Sequence, residues 1–129
     1  MILADTSAWV EFLRDTGSDV CRRVDLLLAD EIATTDPVRM EVLSGARDEP
    51  HLHDLRGLLA RATFLRTESI DYEQAAALYR TCRRQGDTVR RLIDCLIAAV
   101  AIRHDVAVVH SDSDFEVLAR HTSLRTDAP

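Results

Sequence analysis

The chain has 129 residues, 47% hydrophobic and 29% charged, the proportions of a single water-soluble domain with room for its own core. A net charge of −6 excludes a protein that binds nucleic acid simply as a polycation, although acids gathered at a metal site would lower net charge without coating the surface. All 16 basic residues are Arg, and the lack of Lys excludes a P-loop nucleotidase and argues against a phospho-acceptor receiver or a Schiff-base enzyme.

Short strands alternating with helices predict an α/β domain with a mainly parallel sheet over residues 1–129. Residues 2–5 form the first strand and 7–14 a helix that follows at once. Thr16-Gly17-Ser18 breaks the chain before a second helix, 19–30, whose Val20, Val24, Leu27 and Leu28 recur at helical spacing. Residues 32–34 read as a second strand. Asp36 followed by Pro37 reads as a helix N-cap with proline at the first helical position, and Gly45 suits the far end. A helix over 51–61 and a short strand over 63–66 follow. Asp71 with Gln74 resembles a capping box for a helix running to Arg84. Residues 85–88 form a turn, and 89–104 a helix apolar nearly all round, expected to be the most buried. Residues 107–109 are the fourth strand, Ser113 with Glu116 caps a last helix over 114–120, and 123–125 are expected as a fifth, edge strand.

No apolar run approaches the roughly 18 residues of a membrane span, and the chain opens on a core strand rather than a signal peptide. Cys21, Cys82 and Cys95 have no CxxC spacing, which points to a reducing, cytoplasmic setting without a disulfide framework or zinc site.

Four acids stand out. Asp5 ends the run Met1-Ile2-Leu3-Ala4, Glu41 lies in Val38-Arg39-Met40-Glu41-Val42-Leu43, Asp94 interrupts the apolar stretch 92–102, and Asp112 follows Val106-Ala107-Val108-Val109 and its polar tail His110-Ser111. Burying unpaired carboxylates near one another costs several kcal/mol each, roughly, and these segments offer too few cations to offset it. A divalent metal would. In parallel α/β sheets working residues gather at the C-terminal ends of strands, where Asp5 and Asp112 fall. All-oxygen ligands select Mg²⁺ or Mn²⁺ over zinc. Each acid also has a plain structural reading: Asp5 and Asp112 as helix caps, Glu41 as a solvated helix residue, Asp94 as a salt-bridge partner of Arg90 or Arg91. Asp114 competes with Asp112 for a metal role.

Arg80, Arg83, Arg84, Arg90 and Arg91 flank the turn before Asp94. Guanidinium forks match phosphate oxygens, which suits a polynucleotide substrate, and Arg90 and Arg91 are the better candidates because they share the Asp94 helix. Ser7 lacks a His partner for a triad; it or Thr6 is expected to hydrogen-bond Asp5 or a metal-bound water. Trp9 and Phe12 read as packing residues, His104 and His110 as structural.

The opening Ile2-Leu3-Ala4-Asp5-Thr6-Ser7-Ala8-Trp9, the Met40-Glu41 helix, Leu92-Ile93-Asp94-Cys95-Leu96-Ile97-Ala98-Ala99 and His110-Ser111-Asp112-Ser113-Asp114-Phe115 together resemble a PIN domain, and more narrowly the VapC ribonuclease toxins of bacterial toxin–antitoxin pairs. The resemblance spans essentially the whole chain. It implies a five-stranded parallel sheet of order 3-2-1-4-5 flanked by helices, Mg²⁺- or Mn²⁺-dependent endoribonuclease activity, a homodimer, and a cognate VapB antitoxin. It also implies Asp5 and Asp94 as principal metal ligands, Glu41 and Asp112 completing the site, and Asp114 as an accessory acid. Competing readings are another metal-dependent phosphohydrolase, a DNA-directed nuclease, or a non-catalytic interaction module. The last expects arginine partners for all four acids.

Overall fold

The computed structural model describes residues 1–127. Strand β1 (Ile2–Ala4) leads into α1 (Thr6–Leu13), then α2 (Asp19–Leu28), β2 (Ile32–Thr35), α3 (Asp36–Ser44), α4 (Glu49–Leu59), β3 (Thr63–Leu65), α5 (Ser69–Arg84), α6 (Leu92–Arg103), β4 (Ala107–Val109) and α7 (Ser113–His121). The strands form one sheet of order β3-β2-β1-β4, every pair parallel, with Leu3 facing Ala33 on one side and Val108 on the other. Strands β2 and β4 are buried along their whole length, as parallel strands covered by helices on both faces must be.

This order has one functional consequence. From β1 the chain builds outward through β2 and β3, then crosses back to lay β4 on the opposite side of β1. The point of reversal lies between β1 and β4, and the carboxyl ends of such strands are where parallel α/β sheets place their ligands. Asp5 N–H donates to the Val109 carbonyl at 3.2 Å, tying those ends together.

Helix α6 is the central helix. It buries Asp94, Cys95 and every residue from Ile97 to Ala101 and packs most extensively against α5. Trp9 is fully buried and meets Phe12 edge-on at 6.5 Å, as packing residues should. No helix among the described residues is long and apolar enough to cross a membrane.

Among the described residues the sheet has four strands, not five. Residues 123–125 form no strand; one parallel bridge joins Val108 to Thr126, with Val108 N–H donating to Arg125 and Asp127 N–H donating to Val108. The segment occupies the place next to β4 that the order 3-2-1-4-5 assigns to a fifth strand, but pairs through a single residue. Helix α6 begins at Leu92 rather than Val89. Val89 is a buried anchor, and the Arg90 and Arg91 N–H groups donate to the Asp114 carboxylate at 3.0 and 3.1 Å instead of entering the helix. Three caps also shift. Thr35, not Asp36, precedes α3, and Asp36 accepts from Thr67 N–H across the β3 end. Glu68 and Asp71 form the capping box of α5. Asp112 rather than Ser113 caps α7.

Candidate metal centre

Asp5 caps α1, accepting Ala8 N–H at 2.9 Å. Ser7 Oγ donates to both Asp5 oxygens at 2.8 and 2.9 Å and accepts Ser111 N–H at 2.8 Å, which fixes Asp5 to the loop after β4. Thr6 Oγ1 donates instead to Glu41 Oε1 at 2.5 Å. The hydroxyls of Thr6-Ser7 thus orient two acids that are 36 positions apart in sequence. Burial pushes the Asp5 carboxyl up to about 6, against the hydrogen bonds from Ala8 and Ser7.

Asp94, Asp112 and Asp114 each place an oxygen within 4.8 Å of the other two. Asp94 lies in the first turn of α6 and Asp114 in the first turn of α7, behind the Asp112 cap, which accepts Asp114 N–H at 2.9 Å. Together with Asp5, these acids sit at the amino ends of three helices, where the helix dipoles favour negative charge. Asp94 is 0% and Asp114 1% exposed. Burial, followed by the hydrogen bond it shares with Asp114, pushes the Asp94 carboxyl up to about 7, with Arg91 opposing. Asp114 moves the other way. Burial would raise it, but hydrogen bonds from Asp94, from Arg90 and from the Arg91 N–H outweigh that and hold it below the usual carboxylate range.

The cations are closer than the sequence suggests. Arg91 Nη2 lies 3.3 Å from Asp94 Oδ1 and 3.6 Å from Glu41 Oε2. Arg90 reaches Asp112 Oδ1 at 2.8 Å and Asp114 Oδ1 at 3.2 Å. Three of the four principal acids therefore have an arginine, and the expectation of too few cations is corrected to that extent. Asp5 has no ion-pair partner among the described residues, which departs from a purely salt-bridged module. Arg90 and Arg91 precede α6 rather than riding on it.

Whether a hard cation fits here is decided by one atom. Asp94 Oδ2 is buried with no hydrogen-bond donor among the described residues. Such an oxygen is costly and can be satisfied in two ways, by a proton held between Asp94 and Asp114 or by a cation. Five carboxylates facing two guanidiniums, with no His or Cys among them, are the oxygen-only donor set that Mg²⁺ or Mn²⁺ prefers.

The fold thus brings Asp94, Asp112 and Asp114 into one triangle, sets Asp5 beside it through Ser7 and Ser111, and links Glu41 to it through Arg91. Asp112 and Asp114 are not alternatives, since both lie in the triangle and Asp114 is the more buried. Arg83 and Arg84 complement the carboxyl end of α5 instead, with Arg83 over the Tyr79 ring at 5.6 Å. His110 is half-buried against Phe115 and accepts Asp112 N–H at 3.2 Å, a packing role. Sequence reasoning missed Arg14 and Arg47, which line a cleft of about 400 Å³ beside Glu41. They meet only through the packing of α1, α3 and α4, and no local pattern announces that.

Comparison with known proteins shows the family and the fold. Residues 2–121 match the PIN domain pattern. The chain is 49% identical to VapC ribonuclease Mb1587 of Mycobacterium bovis and to ribonuclease VapC11 of Mycobacterium tuberculosis, over 97% of its own length and 96% of theirs. Its fold superposes on a chain of the DNA-bound VapBC structure from Salmonella typhimurium with a TM-score of 0.78, covering 98% of both chains at 19% identity.

Proposed function

The chain belongs to the PIN-domain family and, within it, to the VapC ribonucleases, and on that premise we propose that it is the toxin of a toxin–antitoxin pair, a metal-dependent endoribonuclease. The observation that carries the reading is the buried Asp94 Oδ2 without a donor among the described residues, inside a triangle of three carboxylates near the carboxyl ends of β1 and β4.

Asp94, Asp112 and Asp114 would hold Mg²⁺ or Mn²⁺, with Asp5 and Glu41 completing the site. When bound, the ion would supply Lewis-acid charge against the phosphodiester and the means to activate water at neutral pH. The chain supplies the rest. Ser7 keeps Asp5 ionisable and aimed, Thr6 fixes the Glu41 carboxylate, and Asp114 holds the backbone of Arg90 and Arg91 over the site. A carboxylate at the rim, Glu41 or Asp112, orients the attacking water. The two arginines would supply the cationic contacts for phosphates beside the scissile bond. Hydrolysis by water leaves a 5′-phosphate and a 3′-hydroxyl and does not need the 2′-hydroxyl as nucleophile.

The proposed partner is a VapB-like antitoxin, supported by the VapBC assemblies among the related folds. A homodimer is the proposed state. Ile70, Tyr72 and Leu92 are exposed, and an apolar groove lined by Tyr72, Ala75, Ala76, Leu92, Ile93 and Leu96 runs between α5 and α6; sedimentation at micromolar concentration tests it, and a monomer would remove the claim.

Asp94→Asn should abolish RNA cleavage in Mg²⁺ or Mn²⁺ while the variant keeps the wild-type circular dichroism spectrum, and millimolar metal should raise the melting temperature of the wild type more than that of the variant. Full cleavage by the variant would remove Asp94 from the site. Activity on DNA or small phosphate esters in preference to RNA would favour the other phosphohydrolases.

A further inference from the structure

The two guanidiniums over the acid cluster are held by that cluster alone. Arg91 touches Asp94 and Glu41, Arg90 touches Asp112 and Asp114, and neither guanidinium makes another hydrogen bond among the described residues. Their side chains are 49% and 67% exposed, whereas the Asp94 and Asp114 side chains beneath them are 0% and 2% exposed. Asp114 pins the Arg90 and Arg91 backbone through their N–H groups, so the side chains can swing outward without moving the chain that carries them. Arginine keeps its charge at any pH the fold survives, so its charge leaves the cluster only by that movement. Three of the oxygens it occupies, the Oδ1 atoms of Asp94, Asp112 and Asp114, belong to the carboxylates that would ligate a metal.

We propose that Arg90 and Arg91 are resident counter-ions of the acid cluster, displaced when a divalent cation enters and thereby released toward the phosphates of an RNA strand. The inference rests on reading the acids as a metal site. It assigns two states to one pair of side chains: folded over the carboxylates without metal, turned outward with it. Metal and arginine therefore compete, and metal affinity is held below what five carboxylates would otherwise give.

The test is calorimetric titration of Mn²⁺ into the metal-free wild type, Arg91→Ala, Arg90→Ala and Arg91→Lys. Arg125→Ala serves as a charge-matched control, since Arg125 pairs with Asp105 at the opposite end of β4. Removing one positive charge a few ångströms from a divalent ion should tighten Mn²⁺ binding roughly tenfold in either Ala variant. Arg91→Lys keeps the charge and should stay near wild type, and Arg125→Ala should be unchanged. A second readout follows the ¹⁵N–¹H signals of the arginine Nε groups during Mg²⁺ titration. The Arg90 Nε–H, hydrogen-bonded to Asp114 at 3.2 Å, should lose its exchange protection as the site fills. Arginines that merely brace the acids would give the reverse pattern, with weaker metal binding in both Ala variants. That result, or unchanged binding with unmoved Nε signals, overturns the proposal while leaving the metal site intact. Failure of the wild type to bind metal at all would sink the metal reading itself, and this inference with it.

Discussion

At the scale of single residues, the site is held together by charge that is only partly compensated. Asp94 has its carboxyl pushed up to about 7 from 3.8, by burial first and then by its hydrogen bond with Asp114. Between these values the native protein keeps a proton that the unfolded chain has lost, so metal-free stability falls as pH rises through that window. Asp114, held low, loses its contribution only below the usual carboxylate range and does not enter the window. His110, pushed below the usual imidazole range by burial, works in the opposite direction, so the wild type alone would give a mixed signal. Comparison with Asp94→Asn removes it, because asparagine does not titrate and His110 is common to both. In a chelator, the melting temperature of the wild type minus that of Asp94→Asn should decline steadily from pH 5 to pH 8. With saturating Mg²⁺ the decline should vanish or reverse, since the ionised form then has its cation. A flat difference in chelator would mean that Asp94 is ionised in the metal-free fold at all these pH values.

At the scale of elements, the sequence is legible where a pattern is local and illegible where a tertiary contact competes. The apolar runs of β1, β2 and β4 and the helical spacing of α2 and α5 lie within one or two residues of expectation, because hydrophobic periodicity is a property of the segment itself. The start of α6 is not. Val89, Arg90 and Arg91 continue a good helical pattern, yet Asp114, 23 positions beyond Arg91, takes the N–H groups of Arg90 and Arg91, and only the packed fold brings it there. The same holds for Asp36, which leaves its cap position to reach Thr67. Asp71 joins both kinds of information. It completes the α5 capping box by accepting Glu68 N–H at 2.8 Å, and it forks with Arg103 of α6 at 2.8 and 2.9 Å. Losing the cap costs about 1 kcal/mol, and losing a charge-assisted fork adds about as much or more where one partner is buried. Asp71→Ala should therefore destabilise the protein by about 2–3 kcal/mol in urea unfolding. Because Arg103 lies at the end of α6 away from Asp94, metal affinity should not change. A change would mean that α5 and α6 transmit strain to the acid cluster.

At the scale of the whole molecule, a chain of net charge −6 would bind the proposed RNA through local features, and those features are unevenly placed. The cleft of about 400 Å³ on the Glu41 side carries Arg14, Arg47 and His51 above the apolar Val10, Leu13 and Leu55. The cleft of about 470 Å³ on the Asp112 side carries Glu11, Asp19 and Glu116. Phosphates are favoured along the first and repelled by the second, so an RNA strand should leave the acid cluster past Glu41, its bases against the apolar wall. Four acids at four points of the sequence signalled the centre of this surface, whereas its polarity depends on which helices meet, and that came only with the fold. Two consequences can be measured by fluorescence anisotropy with a short single-stranded RNA. Binding should be weak in chelator and strengthen at least about tenfold with metal, because the ion both removes repulsion and frees the two arginines above it. Replacing Arg14 and Arg47 together by Ala should weaken binding about tenfold and lower the salt slope by roughly 1 to 1.5, near 0.7 for each lost contact to a single strand. Replacing Glu116 by Gln should leave affinity unchanged or raise it slightly. If the Arg14 and Arg47 variant keeps the wild-type salt slope, the strand does not follow the Glu41 side, and its path must instead cross the acidic cleft with Arg90 as its principal cationic contact.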